Sequence, residues 1–172
     1  NDPRRVDLLA LAAQGATIEG EAPLAEWPRL RDPIDDAATP ITWRAHASRR
    51  ERSEGEPLLH LNLEARGDVV RICQRCLEPM KVALQIDRRI RFVRDEAEAE
   101  RLDGEGDEDV LALAPALDVL SLIEDELLLE LPLVPRHDQC IDPARLTASA
   151  DDEALAAHPF QALEALKRPK PQ

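Results

Sequence analysis

LHLNLEARGDVVRICQRCLEPMKVALQIDRRIRFVR, residues 59–94, is the stretch on which the fold turns. At its start Leu59, Leu61, Leu63 and Ala65 alternate with His60, Asn62 and Glu64. That is the period-two pattern of a strand with one face buried. Gly67 and Asp68 read as a turn, after which Val69 to Ile72 lead a further strand into a C-x-x-C pair. Beyond it Val82, Leu84 and Ile86 share one side of a strand that Ile90 and Phe92 continue to Val93. Arg88 falls on that same apolar side, which predicts a bend or bulge near Asp87 to Arg89, or an edge position.

Working outward, Ile41, Trp43, Ala45 and Ala47 alternate with Thr42, Arg44 and His46, giving a second half-buried strand. Residues Ala16 to Ala22 are expected to be extended, and Arg4 to Ala13 to form a short helix after Pro3. Between them and the strands lies a Pro-rich segment, residues 23–40, where regular structure is not expected and where Trp27 and Leu30 supply packing. On the other side Asp95 to Asp109, DEAEAERLDGEGDED, holds nine carboxylates and one arginine and reads as a solvated, mobile acidic loop. Val110 to Ala114 then forms a short strand. A helix is expected from Asp118, with Leu120, Ile123, Leu127 and Leu131 along one stripe and Leu128 beside it. Ser121 and Glu124 suit its first turn, Pro132 ends it, and Glu124, Asp125, Glu126 and Glu130 read as its solvated face. Short helices are expected over Asp151 to Ala157 and around Phe160, Leu163 and Leu166, before a tail, residues 168–172, that frays. The pattern is α+β in a single domain over residues 1–172. It implies a central antiparallel or partly open, barrel-like sheet of about five or six strands, packed by a few helices mainly in the C-terminal half.

Composition narrows the function classes. Hydrophobic residues make up 44% of the chain but aromatics only 2%, with no Tyr, so Leu, Val, Ile and Ala must build the core. Few aromatics also means little base stacking on Phe, Tyr or Trp. The longest apolar runs, such as Leu127 to Leu129, fall far short of a membrane span, and no N-terminal apolar stretch resembles a secretory signal. A soluble, cytoplasmic protein with no membrane partner is expected. The chain begins at Asn1 rather than Met, so a preceding segment is expected. A net charge of −13 argues against nonspecific nucleic-acid binding, yet Arg44 to Arg94 carries a local balance of +5, leaving −18 elsewhere. The basic stretch suits RNA phosphates or merely a solvated sheet face. The acidic run suits solubility or a basic protein partner.

All three cysteines lie in two short segments, CQRCLEP at Cys73 to Pro79 and DELLLELPLVPRHDQC at Asp125 to Cys140. A C-x-x-C turn presents two thiolates to one ion, and an H-x-x-C pair supplies the other half of a tetrahedral zinc site. Cys73, Cys76, His137 and Cys140 are thus candidate zinc ligands. An odd cysteine count weighs against a disulfide framework. A redox reading has less support, because no strand and helix alternation surrounds the motif, although Arg75 would lower a neighbouring thiol pKa. The chain has no G-x-S-x-G, P-loop or H-E-x-x-H, and its six glycines form no phosphate-binding turn. His46 and His60 fall on polar strand faces and read as surface residues, and His158 as a helix entry. No catalytic residues are assigned and no small-molecule substrate is expected.

The same segments resemble the YceD family of large ribosomal RNA subunit accumulation proteins. CQRCLEP is similar to the family's first cysteine motif, IEDELLLELPLVPRH to its acidic, leucine-rich helix and proline-bounded loop, and HPFQALEALK to its C-terminal segment. The N-terminal third matches loosely, through Asp2-Pro3, the strand at Gly20, and Trp27 to Leu30. The resemblance implies a non-enzymatic factor for accumulation or assembly of large-subunit (23S) ribosomal RNA. Its partners would be that RNA, a pre-ribosomal particle, or ribosomal proteins. The RNA-facing candidates are Arg71, Arg75, Lys81, Arg88, Arg89 and Arg91. Two alternatives are an acidic, chaperone-like binder that holds a basic ribosomal protein through Asp95 to Asp109, and a redox enzyme built on the cysteines.

Overall fold

The computed structural model describes residues 2–31, 40–53, 57–103 and 108–139. In chain order the elements are α1 (Leu8–Ala13), β1 (Thr17–Ala22), a single 3-10 turn (Leu24–Glu26), β2 (Ile41–Arg50), β3 (Leu58–Ile72), β4 (Pro79–Val93), α2 (Glu96–Asp103), β5 (Asp109–Ala112) and α3 (Val119–Leu129). Residues 1–136 form one compact unit and 137–172 a second, of which only 137–139 are described, as irregular backbone. The helices expected over Asp151 to Ala157 and around Phe160 lie outside the described residues.

The five strands form one open sheet in the order β1-β2-β3-β4-β5. Neighbours are antiparallel up to β4, as the alternating patterns predict, but β5 joins β4 in parallel. A parallel pair needs a crossover of a dozen or so residues. Here the acidic run supplies it, and its first part is not a loop: Glu96–Asp103 is helical, with the Asp95 side chain accepting from the Glu98 amide at 3.0 Å. Carboxylates in the first turn, Glu96 and Glu98, suit the positive end of a helix. Ala99 and Leu102 of α2 pack with Val93 and Val110 into a small second core.

The main core lies on the opposite face of the sheet. Ile41, Trp43, Ala45 and Ala47 of β2, Leu61, Leu63, Ala65 and Val69 of β3, and Leu84, Ile86, Ile90 and Phe92 of β4 are buried with Val119, Leu120, Ile123 and Leu127 of α3 and Leu8 and Leu11 of α1. Each such aliphatic side chain removed from water contributes about 1.5–3 kcal/mol. Asp118 caps α3 by accepting from the Ser121 amide at 2.9 Å, and Asp7 caps α1 through the Ala10 amide at 2.9 Å. In the Pro-rich segment Trp27 and Leu30 are fully buried in the same core.

Three sequence expectations are corrected. Gly67 and Asp68 form no turn: β3 runs through them, pairing with Leu84 and Ala83 of β4. The glycine is needed because a Cβ there would sit 2.8 Å from Ile41 Cγ1 and 3.3 Å from Ile41 Cα. The β3–β4 register also passes unbroken from Asp87 to Arg89, so there is no bulge at Arg88, while the alternative of an edge position holds, since β5 pairs with β4 only from Ile90. Arg88 stands opposite Leu63 and reaches α3, where its Nε lies 3.2 Å from Glu126 and its Nη2 3.1 Å from Glu130. Finally, of the four α3 carboxylates only Asp125 and Glu130 are exposed. Glu124 is buried, and Glu126 meets Arg88 with only 12% of its side chain exposed.

Candidate functional site

Pairing between β2 and β3 starts at Thr42 with Arg66, and β5 reaches β4 only from Ile90 onward. Asp68 to Ile72 and Pro79 to Ala83 therefore pair only with each other, as a two-stranded ribbon extending past the rest of the sheet. Its tip is the sequence Cys73-Gln74-Arg75-Cys76-Leu77-Glu78. Cys73 donates its amide to the Glu78 carbonyl at 3.0 Å and accepts from the Leu77 amide at 2.9 Å, closing a tight turn. Leu77 carries a positive φ of 62°, a left-handed conformation that a leucine adopts only under constraint. The turn buries Cys73 completely and leaves Cys76 half-buried.

The segment after α3 meets this tip. The Gln74 amide donates to the Pro135 carbonyl at 2.8 Å, two residues before His137. The Sγ atoms of Cys73 and Cys76 lie within 4.8 Å of each other. A tetrahedral zinc with Zn–S near 2.3 Å sets its donors about 3.8 Å apart, so two thiols at this spacing fit half of such a site with a small closure. Cys140, the fourth candidate ligand, lies outside the described residues.

The six arginine and lysine candidates do not share a face. Arg71 folds back on the protein, donating to the carbonyls of Leu30 at 2.6 Å and Val70 at 2.7 Å. Arg88 is held against α3, as described above. Lys81 pairs with Asp68 at 2.9 Å, and Arg75 is exposed at the ribbon tip. Arg89 and Arg91 stand on the outer face opposite Asn62 and His60. Arg89 lies 3.6 Å from Glu108, whereas the buried Arg91 Nε has no hydrogen-bond partner among the described residues.

Two buried polar residues carry more structure than their sequence context foretold. His60 is buried at 2% exposure, with Nε2 3.5 Å from Glu108. Burial and the neighbouring Arg89 hold its pKa below the ordinary 6.5 against the smaller pull of Glu108, so near neutral pH it is uncharged. Glu124 of α3 accepts from the backbone amides of Arg29 at 2.7 Å and Leu30 at 3.1 Å, while its other oxygen takes Arg29 Nε at 3.0 Å. It thereby ties the Pro-rich segment to the helix. The signal that could have found Glu124 is its spacing: it follows Leu120 by four residues and Ile123 by one, on the apolar stripe rather than off it.

Among the described residues no helix is long and apolar enough to cross a membrane. No solved structure matches the chain. A family model described as large ribosomal RNA subunit accumulation protein YceD matches residues 61–167 of the 172. The match takes in the ribbon with its cysteine turn and the whole of α3.

Proposed function

This chain belongs to the YceD family, and from that premise we propose that it is a non-enzymatic factor promoting accumulation of large-subunit ribosomal RNA by binding pre-ribosomal RNA. The observation that carries the role is the family match itself, which spans more than half of the chain. Direct contact with RNA is supported by the central sheet, whose stretch from Arg44 to Arg94 is basic while the rest of the chain is acidic. Such a separation lets one surface approach phosphates and keeps the molecule as a whole from binding nucleic acid indiscriminately. The test is sedimentation of a tagged chain from growing cells, together with the ratio of large- to small-subunit RNA when the chain is depleted. Co-migration with immature large-subunit particles and a falling ratio are expected. An unchanged ratio would overturn the role.

Zinc at the ribbon tip belongs to the same proposal, as a structural ion with no part in catalysis. Cys73, Cys76 and His137 would hold it, with Cys140 as the sequence's fourth donor. Its chemistry there is cross-linking: it would fasten the β3–β4 turn to the segment that follows Pro135. Cobalt substitution reads out the donors directly, since each thiolate adds ligand-to-metal charge-transfer absorption that an imidazole does not.

A further inference from the structure

At the end of the sheet opposite the cysteine turn, the last residues of β2, the start of β3 and the end of β4 frame a groove of about 520 Å³. Four arginines line it, Arg49, Arg52, Arg91 and Arg94, and the apolar Leu9, Pro57, Leu58 and Leu113, each at least partly exposed, share the lining. Glu98 of α2 is the single carboxylate among the described lining residues. Several arginines elsewhere on the sheet face acids, as in Arg44 with Glu19 at 3.7 Å, Arg89 with Glu108 at 3.6 Å, and Arg88 with Glu126 and Glu130. Among the described lining residues four guanidiniums thus meet one carboxylate, on a chain whose net charge is −13. Arg49 spends one donor on Glu51 at 3.0 Å, which leaves most of its fork for another acceptor. The Nε of Arg91, buried without a hydrogen-bond partner among the described residues, is a further donor in this lining.

We propose that this groove binds single-stranded RNA, its arginines taking the phosphates and its apolar lining the face of a base or ribose. The inference rests on the RNA-binding reading above and gives it an address on the fold, mostly outside the arginines that sequence alone singled out. Planar guanidiniums match phosphate oxygens in paired hydrogen bonds, and several of one sign around a low-dielectric lining concentrate the field. The groove's volume of about 520 Å³ favours a nucleotide unit over an acidic helical peptide. An amphipathic helix needs an elongated groove for anchors spaced over two turns. A compact pocket in the volume range of small-ligand sites suits a nucleotide unit instead.

The experiment uses the full chain and a short fluorescent single-stranded oligoribonucleotide, with its duplex and poly-glutamate as competitors. Reversing two exposed arginines, R49E with R52E, should weaken binding about tenfold or more, while R44E with R66E on the outer face should change it by no more than about twofold. Each lost phosphate contact should also lower the salt slope by about 0.7, so the groove variant should lose about 1.4. Retention of wild-type affinity by R49E/R52E, or poly-glutamate competing better than RNA, would overturn the groove. In depleted cells the two variants separate this inference from the role it rests on. If R49E/R52E restores large-subunit RNA as well as wild type does, the groove is wrong and the role stands. Failure of wild type itself to restore that RNA would remove the role.

Discussion

Glu124 shows how much one side chain can decide here. A carboxylate at 4% exposure is costly unless its oxygens are taken up, and they are, by two backbone amides and the Arg29 guanidinium. Arg29 also reaches Asp125 and the Ser121 carbonyl, so a single arginine covers a full turn of α3. Replacing Glu124 with Ala leaves those amides without an acceptor. The expected cost in urea unfolding is about 2–4 kcal/mol, against less than about 1 kcal/mol for Glu130→Ala at the partly exposed end of the same helix. Equal effects of the two would remove the clamp from the account. In sequence Glu124 reads as one more acid in an acidic helix, because its partner amides lie about ninety-five residues away in a Pro-rich segment. Arg88 follows the same logic: its place on the apolar side was legible, but its acceptors on α3 were not.

Among the elements, the β3–β4 ribbon is the one whose sequence and structure agree most closely. Both strands were legible from alternation, and the C-x-x-C marks the tip. What the alternation missed is continuity. A glycine within a strand pattern reads as a turn, whereas Gly67 stays in β3 because Ile41 crowds the space a side chain would need. The acidic run is the converse case, since composition alone reads as loop while its first part forms α2 between two parallel strands. A zinc ion at the tip makes a prediction of its own at this scale. Purified chain should carry about one zinc per molecule. Chelation, or Cys76→Ser, should raise hydrogen exchange at Cys73 and Leu77 and leave the amides of α3 protected. A chain that carries no metal, or exchange that rises evenly throughout, would sink the structural-ion reading.

For the molecule as a whole, the buried His60 and the half-buried Glu126 set opposing demands on pH. His60 has its pKa lowered from 6.5 by burial, so the folded state prefers it neutral. Its contribution is complete above 6.5 and is lost as pH falls through the depressed folded value. Glu126 has its pKa raised from 4.5, again chiefly by burial, so its contribution is complete below 4.5 and is lost as pH rises through the elevated value. Between these two values, the His60 contribution should make stability decline on acidification. In His60→Gln that decline should flatten, which urea midpoints measured across the interval would show; parallel curves for wild type and variant would refute it. The sequence by itself determined the α+β class, the half-buried strands and the α3 stripe. Each of these is written in local periodicity or spacing, which backbone geometry converts directly into faces and turns. Only the tertiary structure decided which polar residues are buried, which arginines are already engaged, that β5 runs parallel, and that arginines from separate strands converge on one groove. Those outcomes depend on contacts between residues distant in the chain, and no local pattern encodes the partner.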